Sequence, residues 1–529
     1  MTSYHGRRNF LRASTAAATA GAGLFAAGPA ATARGRDRAD QADDADRADR
    51  AERAEAPPRG RRYVVRGGAV MSMDPRVGDF EAADVLVEGK KIVAVRPRID
   101  ARGAEVIDAR GRIVMPGFVD THHHQFETAL RAFLPNGLLL DDGSGSPSAD
   151  PSYVEYVLER FAPAYRPQDV YLNSLAAGLS QLDAGVTTVL DVSQIHHSPE
   201  HSDAAVQALA DTGRRAAFGF FEGDGRAGAR YPEDAYRLRD RWFSSDDQLL
   251  TMVMGGEIHL PEEVYTRSWG IARELGLRIA AHAVSSAGYR PIIDDLARGT
   301  GGATGDLGFG PDVMFIHMTG MSDLAWRRAR DAGVSVSVAF PIEMTMRHGM
   351  PPILTMQEFG MEPSLSSDVE TTMAADPFTQ MRSAMTMQRM LVNQMVLEQG
   401  DFTPPDAYPV PAPGTPPLLT VRDVLRFATV NGARHLGLDG RTGSLTPGKE
   451  ADIVLLDASA LNVAPLNNVP GAVVSLMDRT NVDTVIVAGR VRKWRGRLLD
   501  AHTGHLRREL EESRDHLFRT VGIRRDLFA

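Results

Sequence analysis

Met115-Pro116-Gly117-Phe118-Val119-Asp120-Thr121-His122-His123-His124 reads as a short apolar strand that ends in histidines. Alternate side chains of a strand share one face, so His122 and His124 project together while His123 points elsewhere. Two imidazoles held in that way form half of a site for a divalent cation, and the other ligands must come from other strand ends. By itself His-x-His is also what core or solvent-facing histidines produce. Three later apolar runs end in ligand types as well: Leu277-Arg278-Ile279-Ala280-Ala281-His282, Val313-Met314-Phe315-Ile316-His317 and Pro363-Ser364-Leu365-Ser366-Ser367-Asp368. Asp368 read singly would be a helix cap. Four such ends in order point to a shared cation.

Eight runs have strand character: Phe118 to His122, Thr187 to Val192, Ala216 to Phe221, Leu250 to Met254, Ile279 to Ala283, Met314 to His317, Val334 to Ala339 and Ser364 to Asp368. Helical patterns separate most of them, which favours a parallel sheet closed into a barrel. An open doubly wound sheet is the alternative, but no glycine-rich dinucleotide turn follows the first strand. In a barrel the ligand candidates all sit at one rim. Short β runs at Tyr63 to Val65, Val85 to Val87, Ile92 to Val95 and Glu105 to Ile107 find their match at Ile453 to Leu456 and Thr484 to Val491. Neither terminal set can enclose a core alone, so together they should form one sheet domain.

The run Pro116 to His124, with His282, His317 and Asp368, resembles the amidohydrolase superfamily, in the branch of cytosine deaminase and the triazine hydrolases. Asn431-Gly432-Ala433-Arg434 and the segment Gly443 to Asp457 look like that branch's closing helix and returning strand. The resemblance implies an α/β fold, a TIM-type (β/α)8 barrel over 118–440, with a small β-sandwich domain split between 62–117 and 441–498. It implies one divalent metal, zinc first and iron as the alternative, held by His122, His124, His282 and Asp368, which would activate a water. Asp368 would double as the base, and His317 would orient the attacking oxygen or polarise the bond under attack. Other branches carry a bridging carboxylated lysine at strand four, but Met252 to Leu260 has no lysine, which leaves one metal. A dimer fits the family, though no residue pattern here demonstrates one.

Deaminases of this branch carry a glutamate three residues after the strand-five histidine, where His282-Ala283-Val284-Ser285 has a serine. A hydroxyl is a poor proton shuttle. The expectation is therefore metal-dependent hydrolysis of a nonpeptide C–N bond in a small molecule: an amide, urea, cyclic amide or ring substituent. An aminohydrolase of a nucleobase-like or triazine heterocycle is the alternative, and a noncatalytic exported binding protein is the alternative of another class. Glu343, just past the seventh strand, is the candidate for a substitute acid, with His348 and Glu257 as lesser candidates, and Glu343 and His348 are the candidates to contact substrate. Glu343 is equally readable as a loop carboxylate paired with Arg347 one turn on.

The 529-residue chain has a net charge of -9 and a pI near 5.9, which argues against a nucleic-acid partner and for a neutral or cationic small substrate. Arg7-Arg8-Asn9-Phe10-Leu11-Arg12 precedes the uncharged stretch Ala13 to Ala33. This is the layout of a twin-arginine export signal over 1–33, read by the twin-arginine export machinery. The stretch is mostly Ala, Gly and Thr, too polar for a permanent membrane anchor. Residues 34–61 repeat Ala-Asp-Arg and Ala-Glu-Arg, the composition of a solvated tether. The absence of cysteine suits export of a folded, disulfide-free protein. His196, His197 and His201 read as surface or loop residues, 135–163 as a lid or a surface excursion, and 499–529 as a helical tail.

Overall fold

The computed structural model describes residues 56–58, 60–146, 151–223, 230–300, 308–399 and 410–528. The expected export signal, most of the expected tether and part of the proline-rich segment after residue 403 lie outside the described residues.

The sequence opened above spans two sheets. Arg112–Pro116 belongs to the accessory sheet, and Gly117 turns the chain into the first barrel strand. Gly117 N–H donates to Asp452 O at 3.0 Å, and a β-carbon at this position would run into Thr187. Only glycine lets the two backbones approach so closely.

The barrel strands are β1 (Phe118–His123), β2 (Val186–Ser193), β3 (Arg215–Phe220), β4 (Leu250–Gly255), β5 (Arg278–Val284), β6 (Val313–Thr319), β7 (Ser335–Val338) and β8 (Ser364–Leu365). They pair in sequence order and in parallel. Each of the eight expected runs is a strand. β8 is only two residues long, because the chain beyond Leu365 leaves the extended conformation and Asp368 takes φ 62°. A bridge between His123 and Asp368 closes the ring. Inside it, Val119, Leu190, Ala217, Val253, Ala280 and Ile316 form one cluster, joined by Ala433 and Leu436 of the closing helices. Their strand neighbours Phe118, Val189, Phe218, Met252, Ile279 and Phe315 belong to the larger core, the period-two alternation of a barrel wall.

The accessory domain is one nine-stranded sheet in which a block of C-terminal strands joins a block of N-terminal strands at one seam. Ile453–Asp457 pairs antiparallel with Arg112–Pro116, which in turn pairs with Arg62–Met71. Tyr63, Val65, Val85, Leu455, Ile486 and Trp494 share its core. The tail forms the helix Thr503–Val521. Its Ser513 hydroxyl donates to Asp169 at 2.7 Å, and Leu517 is fully buried. No described helix is long and apolar enough to cross a membrane.

Arg215, at the start of β3, ties the barrel to the returning strand. Its side chain is fully buried, donating to Asp452 Oδ2 at 2.9 Å and to Glu450 Oε2 at 2.7 Å. Removing one member of a buried ion pair strands the other charge. Arg215→Met is expected to cost about 3–5 kcal/mol, read as a lower midpoint in denaturant unfolding; an unchanged midpoint would show that this cluster does not hold the two parts together.

A candidate metal centre at the barrel rim

His122 and His124 lie at the end of β1, His282 in β5, His317 in β6, and Asp368 three residues past β8. The fold brings all five together. Asp368 Oδ1 is 3.0 Å from His122 Nε2 and 3.5 Å from His124 Nε2, while its Oδ2 is 3.4 Å from His317 Nε2. Candidate ligand atoms of His122, His124 and His282, and of His122, His317 and Asp368, lie within 4.8 Å of one another. His123 points away, toward Glu370 at 3.9 Å.

Local backbone irregularities aim these side chains. The β1–β2 register shifts between Asp120 and His123, and the β5–β6 register shifts between His282 and Val284. Such bulges re-aim a side chain at a strand end. His317, Met318 and Asp368 take φ of 70°, 50° and 62°. These left-handed conformations cost of order 1–3 kcal/mol each and persist where the surroundings impose them. Asp120 supplies part of that constraint: its Oδ1 accepts the N–H groups of His122 and Ser367, each at 3.1 Å.

Burial lowers three of the imidazoles, whereas at His282 burial is outweighed by Glu257, which pushes that ring up. Burial pushes His122 and His317 down to about 4 and His124 well below the ordinary imidazole value. Neutral imidazoles offer lone pairs to a cation. Burial opposes the charge of Asp368, but the imidazoles of His122 and His317 outweigh it and keep the carboxyl well below its usual range. Asp368 Oδ2 and His124 Nδ1 have no hydrogen-bond partner. Three imidazoles and a carboxylate converging in this way suit a divalent cation.

A second layer fixes two of the rings, as carboxylates do behind metal-bound histidines. Glu257 Oε1 meets His282 Nδ1 at 2.7 Å, and Glu343 Oε1 meets His317 Nδ1 at 2.9 Å. Glu343 therefore stands behind His317 instead of opening into the pocket, held also by the Ala339 N–H at 3.0 Å. Arg347 does not pair with it but with Asp142, 2.5 Å away. His348 packs edge-on to His317 with centroids 4.6 Å apart, is 4% exposed, and has no partner at either ring nitrogen. Ser285 lies beside the backbone of Gly320. His196 is buried between Ser193 O and Ser202, and His197 and His201 donate inward to Ala162 and Tyr165, so none of the three is a free surface residue.

Several polar residues of this rim escape a sequence reading. Tyr153 donates to Glu127 at 2.5 Å beside His124, and Gln194 donates to Glu222 at 3.0 Å. Glu127 follows His124 by three residues, which is a weak cue. Gln194 and Glu222 stand just past β2 and β3, and being at a strand end was their only signal. The segment expected as lid or excursion is fastened down where described: Leu139 N–H donates to Met346 O at 3.0 Å, and Tyr153 N–H to Leu138 O at 2.8 Å.

The amidohydrolase family model matches residues 113–492. The 5'-deoxyadenosine deaminase of Methanosarcina acetivorans is 26% identical over 441 residues, covering 81% of this chain and 92% of the relative. The 5-methylthioadenosine/S-adenosylhomocysteine deaminase of Symbiobacterium thermophilum is 27% identical over 451 residues, covering 81% and 93%. A zinc-bound adenosine deaminase from Xanthomonas campestris shares the fold with a TM-score of 0.71 at 22% identity, covering 87% of this chain and 99% of that one. Atrazine chlorohydrolase from Arthrobacter aurescens, complexed with zinc, does so with 0.71 at 20% identity, covering 85% and 100%. The chain belongs to the amidohydrolase family and is a hydrolase of carbon–nitrogen bonds other than peptide bonds, not a noncatalytic binding protein.

Proposed function

We propose that the protein is a metal-dependent aminohydrolase that replaces the exocyclic amino group of a nitrogen heterocycle with oxygen, purine nucleosides being the first substrates to test. The convergence of Asp368 with His122, His124, His282 and His317 carries this reading, and relatives named as deaminases over four fifths of the chain support the substrate class. A divalent cation held by His122, His124, His282 and Asp368, zinc in the first instance, would supply the Lewis acidity that makes water nucleophilic near neutrality.

The chain's own groups move the protons. Asp368 keeps Oδ2 free of hydrogen-bond donors and takes the proton of the attacking water. That proton then leaves with the amine as ammonia, so one water is consumed and one ammonia released. His317, its Nδ1 fixed by Glu343, presents Nε2 on the same side as Asp368 Oδ2 and orients the reacting atoms. His348 adds an unpartnered imidazole for the substrate. A second reading, hydrolytic displacement of a ring substituent that leaves as a stable anion, is favoured by Ser285, since such a leaving group departs without the acid that strand five lacks.

Three outcomes are expected. Ammonia release from 5'-deoxyadenosine and adenosine should fall at least about a thousandfold in Asp368→Asn with the fold retained by circular dichroism; activity within tenfold of the parent, roughly, would remove Asp368 from proton transfer. Elemental analysis should find about one zinc per chain, with chelation abolishing turnover and zinc restoring it, whereas full activity in metal-free protein would refute metal dependence. Export through the twin-arginine machinery, supported by Arg7-Arg8 and the stretch after it, predicts that replacing both arginines with lysine retains the protein inside the cell; unchanged secretion would refute that route.

A further inference from the structure

Gln194 follows β2 and Glu222 follows β3, and the bond from Gln194 Nε2 to Glu222 Oε1 occupies one end of each. Gln194 Oε1 and Glu222 Oε2 are buried with no donor. Gln194 is 8% exposed and Glu257 1%. Buried acceptors left without hydrogens lose solvation with nothing in return. His259 offsets only part of the charge, with Nδ1 3.3 Å from Glu257 Oε2 and Nε2 3.8 Å from Glu222 Oε1. Burial, reinforced by the charge of Glu257, pushes the Glu222 carboxyl up to about 7. In its ionised form Glu222 leaves the cluster with acceptors in excess of donors. It also adjoins the metal centre: Phe221, next to Glu222, packs edge-on against His282 with centroids 6.0 Å apart.

We infer that Gln194 and Glu222 form a substrate subsite that accepts O–H or N–H donors from an uncharged or cationic substrate and disfavours anionic ones. None of the groups already assigned to metal or proton transfer is used in it. Its place beside the reacting centre rests on the aminohydrolase reading. A carboxylate and an amide oxygen that are each one hydrogen short discriminate strongly against ligands lacking the matching donor.

The test is binding of inosine to the zinc-loaded protein by titration calorimetry, because a product-type nucleoside has no amino group to lose. Glu222→Gln and Gln194→Leu should each weaken inosine about tenfold or more while zinc content stays at the parent level. The penalty should vanish with whichever analogue lacks the recognised donor: 2'-deoxyinosine or 3'-deoxyinosine if a ribose hydroxyl is bound, 1-methylinosine if the ring N–H is. Inosine monophosphate should bind the parent more weakly than inosine, and Glu222→Gln should narrow that gap. The subsite is overturned if both variants bind inosine within about twofold of the parent, or if the penalty is equal for all three analogues. A protein that binds inosine through Glu222 but releases no ammonia from any aminopurine nucleoside keeps the subsite and loses the reaction. One that deaminates with KM unmoved by both variants does the reverse, and one that does neither refutes both.

Discussion

Asp368 closes the barrel and builds the centre with the same few atoms. Its N–H donates to His122 O at 2.8 Å, and its carbonyl accepts from His124 N–H at 2.9 Å. Its carboxylate meets the His122 ring between those two backbone bonds. Since β8 contributes only Ser364 and Leu365 to the ladder, this bridge joins first and last strands together with the Thr121 hydroxyl, which bonds to Ser364 Oγ and Leu365 O. The spacing between carboxylate and imidazoles is thus set by backbone pairing, a stiffer determinant than side-chain rotamers. Asp120 reinforces it by holding the N–H groups of His122 and Ser367 on one oxygen.

Burial then makes the polar groups depend on one another. An enclosed carboxylate without partners would be costly, and Glu127, Glu222, Glu257 and Glu343 have each found a tyrosine, an amide or an imidazole. Glu257 steadies His282, Glu343 steadies His317, and Glu127 takes the Tyr153 hydroxyl from the loop that crosses toward Met346. The same enclosure keeps His122, His124 and His317 neutral. Rings fixed by a carboxylate at one nitrogen can only offer the other, so orientation is settled before any cation or substrate arrives.

The sequence exposes the barrel because the strands are apolar runs of the right length, four of them ending in a metal-ligand type, and because Ile453 to Leu456 has the character of a strand without a local partner. It exposes the imidazoles for the same reason. What stays hidden depends on backbone conformation or on long-range contact. Nothing in Phe315-Ile316-His317-Met318 announces two consecutive left-handed residues, yet without them the period-two alternation would turn His317 to the wrong face. Glu343 lies 26 residues from His317 and Glu257 lies 25 from His282, so their pairing follows only from neighbouring strand ends of a closed barrel. His196 reads as a loop residue for want of an apolar context, but Phe218 and Phe220 supply that context from the next strand.

Ser285 shows how such a rim can redistribute chemistry. A β-carbon built on Gly320 would fall 2.6 Å from Ser285 Cβ, so the serine is wedged against the strand-six turn, where a small side chain fits. Glu257, two residues past strand four, already accepts both the backbone and ring N–H groups of His282 at one oxygen and is committed to orientation. Glu222 on strand three carries no such obligation, having an oxygen without a donor. The strands of a parallel barrel end at one rim, so a group lost from one strand can be supplied from another. The reaction class is therefore constrained by Asp368 and the imidazoles, which the barrel fixes, while substrate choice would fall to the subsite proposed at Gln194 and Glu222.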